Sequence, residues 1–385
     1  MTKLLMLITS LAGGGAERVA SELSLNLSPN IERKIVTLTN KVSYPSNEPP
    51  ISMNIKSGNR FFLNILYALF VGTIKYKKYL NNYNPDFSLS FLILDNIINI
   101  ISTSLNKNIK TVVSVHIALS MKFQKFKLNK IVTKLIGIFY NRADLIIAVS
   151  EGVKTELITD FNITPDKIIV AYNPVDCMKI KKLSSEDIYD EEWFNEDIPI
   201  IINVGRLTQQ KGQWHLIRSF SKVRQTEKCR LIIRGNGESK PYLDTIIKDF
   251  GLSKDVKFLD WKENPFKYIS KAAFFVSSSL WEALPYALTE TMACGCPVIA
   301  TDCKYGPKEI LGDGEFGILV PTMDGLFHDS HSLTKEEQML AEKMTFLLQN
   351  KDMRIKYAEK SILRARDFDT SKTIEVYNKI FLENN

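Results

Sequence analysis

Residues 145–171 read LIIAVSEGVKTELITDFNITPDKIIVA. The opening apolar run, 145–149, has the length of a buried strand and not of a core helix. Ser150 follows it and offers a side-chain oxygen to start a helix over 151–159. A second apolar run of strand length stands at 168–171. Strand, capped helix and strand in this order make a βαβ unit, which requires a parallel sheet covered by helices.

The same alternation extends upstream. Strands are expected at 3–8, 34–38, 87–89 and 111–115, and helices at 17–27, 61–81 and 128–140. Downstream, Asn173-Pro174 opens a change of character, and residues 176–198 are polar and charge-rich, as a linker would be. Strands then resume at 200–204, 230–234, 256–259, 273–276 and 298–300, with helices near 214–225, 265–272 and 286–294. A last helical pattern covers 372–382. The expected domains are therefore 1–175, 176–365 and a terminal helix over 366–385. The fold class is α/β, with two doubly wound Rossmann-like domains, and such sheets bind ligands outside the carboxyl ends of their strands.

Composition narrows the classes. The 385 residues are 45% hydrophobic and 24% charged, which excludes a disordered, collagen-like or coiled-coil chain. The net charge of +7 is uneven: residues 1–175 hold 20 Lys and Arg against 11 Asp and Glu, and the remainder is slightly acidic. A basic half suits an anionic partner, whether nucleic acid, a membrane surface or a phosphorylated ligand. The five cysteines, at 177, 229, 294, 296 and 303, lack the spacing of a disulfide framework or a four-ligand zinc site. They read as buried thiols in a reducing, cytoplasmic setting. Residues 4–8 form too short an apolar run for a signal peptide and lead into glycines, so a first strand is expected. The apolar stretch 61–74 is too short to span a bilayer and contains Asn64, so a buried helix is expected.

Chemistry-bearing residues fall just after strands. Gly13-Gly14-Gly15 precedes the first helix, where glycines admit close approach and the helix start favours an anion. A dinucleotide loop would need an acid after the second strand, and Leu38-Thr39-Asn40 supplies none; a tight turn is the other reading. Arg206 and Lys211 lie in VGRLTQQKG, 204–212. A planar fork and a point charge in one loop suit a diphosphate, although any single surface cation can simply be solvated. Glu282 and Glu290 flank Ala283, Leu284 and Pro285, and Pro285 suits a first helical turn. Amides there can hold an anion and carboxylates can accept sugar hydroxyls; Glu290 is equally readable as a partner of the helix dipole.

Together these stretches resemble the family 4 retaining glycosyltransferases of GT-B fold. The carriers are GGGAER (13–18), ADLIIAVSEGVK (143–154), YNPVD (172–176), VGRLTQQKG (204–212), GNGE (235–238), WEALPYALTETMACGCPVIATD (281–302) and GPKEIL (306–311). The resemblance implies two domains facing a central cleft and a nucleotide-sugar donor, UDP-linked by expectation, held by the second domain. It assigns the diphosphate to Arg206 and Lys211, the ribose to Glu290, the transferred sugar to Glu282 and His116, and close approach to Gly14 and Gly15. Gly235, Asn236 and Gly237 are expected beside the nucleotide. The family usually has Gly after its first glutamate, and Ala283 stands there.

Asp367-Phe368-Asp369 is the one clear DxD sequence, and helix capping ahead of Thr370 accounts for it better than a metal. No metal or other cofactor is expected, with Arg206, Lys211 and the helix start at 285–290 stabilising the departing charge. The expected reaction moves a hexose or N-acetylhexosamine to a glycan or lipid-linked glycan acceptor in bacterial surface polysaccharide or glycoconjugate synthesis. A nucleotide-sugar epimerase of the same fold and a non-catalytic sugar-nucleotide binder are the alternatives. Lys122, Lys125, Lys127, Lys130 and Lys134, interleaved with Phe123 and Phe126, suit an anionic membrane surface or a solvated face of a core helix. No nucleic-acid motif accompanies the charge.

Overall fold

A computed structural model describes residues 1–55, 61–123, 129–260, 262–328 and 330–383. The chain divides into two compact units, Met1–Pro174 with Thr370–Asn385, and Val175–Asp369.

The first unit is a parallel sheet in the order β3-β2-β1-β4-β5-β6-β7. Its strands are β1 (Thr2–Ile8), β2 (Ile31–Thr37), β3 (Ile51–Ser52), β4 (Phe87–Ser90), β5 (Lys110–Val115), β6 (Leu145–Ala148) and β7 (Ile168–Val170). The helices between them are α1 (Gly15–Asn26), α2 (Phe61–Tyr83), α3 (Ile93–Thr103), α4 (Leu119–Phe123), α5 (Asn129–Tyr140) and α6 (Glu151–Thr159). The first strand lies inside the sheet, between β2 and β4, as its run of buried Leu4–Ile8 requires. Ser150 caps α6 by accepting a hydrogen bond from the Val153 amide at 3.1 Å. From α6 the buried Glu156 carboxylate accepts the amides of Leu119 at 2.9 Å and Ser120 at 3.1 Å, closing the start of α4. The helix Thr370–Glu383 completes this unit. Its Phe381 ring meets Phe87 of β4 at 5.2 Å, and Asn378 accepts the Ser28 amide at 2.9 Å.

One expectation about this unit fails. The stretch 61–74 was expected to be a buried helix, yet α2 leaves Leu66, Tyr67, Phe70 and Ile74 exposed. Its other side meets the core through Tyr76 and Leu80. On α5, the apolar series Ile131, Leu135 and Ile138 faces solvent, while Ile136 and Tyr140 point inward. Helical periodicity identifies an apolar stripe without saying what covers it. Of the basic stretch, Lys125, Phe126, Lys127 and Leu128 lie outside the described residues, as do the side chains of Lys122 and Phe123; Lys130 and Lys134 are exposed.

The second unit begins with α7 (Cys177–Ser184), inside the stretch expected as a linker. Its parallel sheet has the order β10-β9-β8-β11-β12-β13. The strands are β8 (Ile200–Val204), β9 (Arg230–Arg234), β10 (Val256–Leu259), β11 (Phe274–Ser277), β12 (Val298–Thr301) and β13 (Ile318–Val320). The helices are α8 (Gln213–Val223), α9 (Lys240–Asp249), α10 (Phe266–Lys271), α11 (Tyr286–Ala293), α12 (Pro307–Ile310), α13 (Lys335–Gln349) and α14 (Lys351–Ala365). A wholly buried Glu337 joins α8 to α13. It accepts His215 Nδ1 at 2.8 Å and Arg218 Nε at 2.7 Å, and it closes a capping box with Thr334. Asp367 is ion-paired with Arg364 at 2.9 Å. Among the described residues no cluster of His, Cys, Asp or Glu could hold a metal ion.

Candidate active site

Four loops leave the carboxyl ends of β8, β9, β11 and β12, the middle of the second sheet. The loops after β8 and β9 are zipped together. Gly205 donates to the Arg234 carbonyl at 3.0 Å, and Leu207 to the Asn236 carbonyl at 2.9 Å. Gly235, at φ +155°, and Gly237 permit this, because a Cβ at either would collide with the carbonyl oxygen of Gly205 or Leu207. The first and third loops are joined as well. Leu280 donates to the Gln210 carbonyl at 2.8 Å, and Ser278 Oγ to the Lys211 carbonyl at 2.9 Å. Glu282 donates its amide to the Lys304 carbonyl at 3.0 Å, which brings in the loop after β12.

This frame brings Lys211 and Glu282 together. Lys211 Nζ lies 2.5 Å from Glu282 Oε1, with both side chains largely buried. The same oxygen accepts Ser279 Oγ at 2.7 Å, and Oε2 accepts Gln210 Nε2 at 3.3 Å. Glu282 thus accepts from a cation and two neutral donors. Arg206 is exposed, and among the described residues no hydrogen bond or ion pair engages its guanidinium. Ala283, Leu284 and Pro285 are buried ahead of α11. Glu290 lies on the second turn of that helix, half-buried. The half-buried Arg234 guanidinium is held by its hydrogen bond to the Lys262 carbonyl at 2.8 Å, and Glu290 offsets part of its desolvation. Cys294, Cys296 and Cys303 are free thiols pushed well above their usual range by burial.

In the first unit the glycine loop follows β1. Gly14 is the N-cap of α1, Gly15 its first residue, and the Glu17 carboxylate lies against Gly14. His116 follows β5, with Nε2 2.8 Å from Ser114 Oγ. Burial lowers its pKa to about 4, with Asn173 opposing the shift, so the ring is neutral at pH 7.

Sequence reasoning missed Asp95, Glu156 and Arg234. Asp95 is completely buried at the start of α3 and accepts the Thr9 amide at 2.7 Å and the Thr9 hydroxyl at 2.8 Å. It thereby fixes the residue that leaves β1 for the glycine loop. Burial pushes its pKa up to about 8, against the hydrogen bonds from Thr9. The available signal was a single acid inside the apolar stretch 91–101. Arg234 carried a comparable signal, a cation directly before a Gly-x-Gly turn.

Two parallel sheets, each with polar loops and glycine turns at its strand carboxyl ends, fit the GT-B class of sugar-transferring enzymes. Comparison with known proteins bears this out. The chain belongs to the family 4, or group 1, glycosyltransferases: the family described as "Glycosyltransferase Family 4" matches residues 13–179, and "Glycosyl transferases group 1" matches 184–364. It is 32% identical, over 97% of both chains, to the N-acetylgalactosamine-N,N'-diacetylbacillosaminyl-diphospho-undecaprenol 4-alpha-N-acetylgalactosaminyltransferase of Campylobacter jejuni. It is 24% identical, over 99% of both, to an amylovoran biosynthesis glycosyltransferase of Erwinia amylovora. Among solved structures, Anabaena HepE in complex with UDP superposes with a TM-score of 0.79 at 19% identity, over the full length of both chains. The protein is therefore a glycosyltransferase.

Proposed function

We propose that the protein is a retaining, metal-independent glycosyltransferase. It would move a hexose or N-acetylhexosamine from a UDP-sugar to a lipid-linked glycan in bacterial polysaccharide or glycoconjugate synthesis. The observation that carries this reading is the Lys211–Glu282 pair beside an exposed Arg206 on the strand carboxyl ends. The end-to-end likeness to an enzyme named for a diphospho-undecaprenol acceptor supports the acceptor class, and the UDP complex of the Anabaena protein supports the donor.

In this reading an arriving diphosphate takes Lys211 from Glu282. Arg206 adds its fork, and the N-terminal end of α11 favours the same anion. Glu282, relieved of its cation but still held by Ser279 and Gln210, accepts a hydroxyl of the transferred sugar, and Glu290 accepts the ribose. Gly235, Asn236 and Gly237 shape the wall beside the nucleotide. In the first unit, Gly14, Gly15 and the neutral His116 serve sugar recognition. The bond from the anomeric carbon to the diphosphate oxygen breaks as the acceptor oxygen bonds to that carbon on the same face. The acceptor's proton passes to the departing phosphate, whose charge Arg206 and Lys211 stabilise. The basic residues of 122–134 would hold the enzyme peripherally on the cytoplasmic membrane face.

Thermal stabilisation by UDP, GDP, ADP and their sugar conjugates, with and without EDTA, tests the donor assignment. At about 100 times its dissociation constant the true ligand adds roughly 2.7 kcal/mol. A shift with uridine nucleotides alone, insensitive to EDTA, is expected. Loss of the shift in EDTA overturns the metal-free reading, and an inverted anomeric product by NMR overturns retention.

A further inference from the structure

The second unit has a large groove at the far end of the helices that leave its site loops. Helices α8 and α9 start beside the loops after β8 and β9 and run to the opposite edge of the sheet, about 16 Å along α8. There their last turns, the segment after α9 and one side of α13 enclose a groove of about 1010 Å³. That volume lies at the upper end of small-molecule sites. Every lining residue belongs to the second unit, and none stands in the loops that carry Arg206, Lys211 and Glu282.

The lining is polar but balanced in charge. Arg224 and Asp255 pair at 3.2 Å, which leaves Lys222 and His331 against Asp249 and Glu342. The carboxyl ends of α8 and α9 add partial negative charge. A nucleotide or other phosphate-bearing ligand therefore finds no net attraction there. Amides and hydroxyls supply the remaining polar groups. The side chains of Gln225 and Thr345 make no hydrogen bond among the described residues. Gln338 Nε2 donates to the Leu333 carbonyl at 3.2 Å, and Gln349 Nε2 to Glu227 at 2.7 Å, which orients both amides and leaves their oxygens to accept.

Rings supply the apolar part. Phe250 is half-buried, with the Arg218 guanidinium 5.6 Å from its centroid and the His331 ring at 4.7 Å. Phe346 of α13 is exposed on the same groove. Flat rings beside amides, hydroxyls and carboxylates match a pyranose, whose C–H face is apolar and whose hydroxyls both donate and accept. We propose that this groove is a second saccharide site, which takes a neutral oligosaccharide away from the transfer chemistry. Occupied there, a glycan chain is retained by the enzyme while the donor loops stay open to the nucleotide sugar.

Titration calorimetry of the full chain with maltotetraose and with chitotetraose, each with and without excess UDP, tests the site. At least one of the two should bind, equally well in both conditions. Phe346→Ala and, separately, Gln225→Ala should weaken that binding at least about fivefold. Both side chains are exposed, so neither change should disturb the fold. Thermal shifts with uridine nucleotides should stay unchanged in both variants, which keeps the groove apart from the donor assignment. Failure of the parent to bind either oligosaccharide overturns the site. Parent-like affinity in both variants, or displacement of the oligosaccharide by UDP, places the saccharide elsewhere and overturns it as well. Binding of inositol hexakisphosphate that Lys222→Gln abolishes would make the groove an anion site and overturn the ligand class.

Discussion

Arg206 and Lys211 are cations of one loop, yet their surroundings separate what each substitution does. Arg206 is exposed, so Arg206→Ala should leave stability within about 0.5 kcal/mol of the parent. It should nevertheless lower turnover at least about tenfold, equivalent to roughly 1.4 kcal/mol. Lys211→Ala should match that loss and also cost about 1–3 kcal/mol of stability, because it leaves a buried Glu282 without its cation. Denaturant melts and initial rates read the two effects apart, and parent-like turnover in both variants would remove the diphosphate assignment. Asp95 gives a pH signature. In the unfolded chain its carboxyl ionises near 3.9, and in the folded protein near 8. Between these values the folded state holds a proton that the unfolded chain has lost, so this group's contribution to stability falls as pH rises. Asp95→Asn removes that dependence. Its stability relative to the parent should rise between about pH 5 and pH 8, and a constant gap in urea melts would contradict a protonated Asp95. Arg206, Lys211 and Glu282 were legible as candidates because they stand in loops just after strands. Asp95 and Glu156 were not, since their partners lie 86 and 37 residues away.

Among the elements, the loops after β8 and β9 depend on backbone approach more than on side chains. Gly235→Ala or Gly237→Ala would place a Cβ against a carbonyl of the neighbouring loop and force the pair apart. A cost of about 1–3 kcal/mol is expected, together with loss of the uridine-nucleotide thermal shift. Glu337→Gln tests the join of α8 to α13. It leaves Arg218 and His215 facing a neutral amide in a fully buried position and should cost about 3–5 kcal/mol in denaturant melts. The alternation of strands and helices was readable over much of residues 3–300, since it depends on local period and on caps such as Ser150. Among the elements misjudged or missed, two show a physical reason. The length and composition of 61–74 fit a core helix, and only the tertiary structure shows that Leu66, Tyr67, Phe70 and Ile74 have no cover. Helix α3 was passed over because Asn96 and Asn99 interrupt its apolar pattern. Both are buried, and Asn99 donates to the Ser88 and Val112 carbonyls at 2.9 and 3.1 Å, replacing apolar contact with hydrogen bonds.

At the scale of the whole molecule, the first unit is not contiguous in sequence. Residues 1–174 lack the helix that covers Phe87 and receives the Ser28 amide, and that helix comes after the entire second unit. A chain ended after Asp369 should therefore melt in two separated steps, the first well below the parent transition, whereas a single parent-like transition would show the helix to be dispensable. During synthesis the order of events is fixed by the same arrangement. The first sheet leaves the ribosome early and waits, one face incomplete, until 370–383 follow the second unit out. Until then, uncovered apolar surface marks the nascent chain for chaperones, and a message cut short anywhere before residue 370 yields a product that still carries that mark. Completion of the first unit is thus tied to synthesis of the second, because 370–383 follow it in the chain.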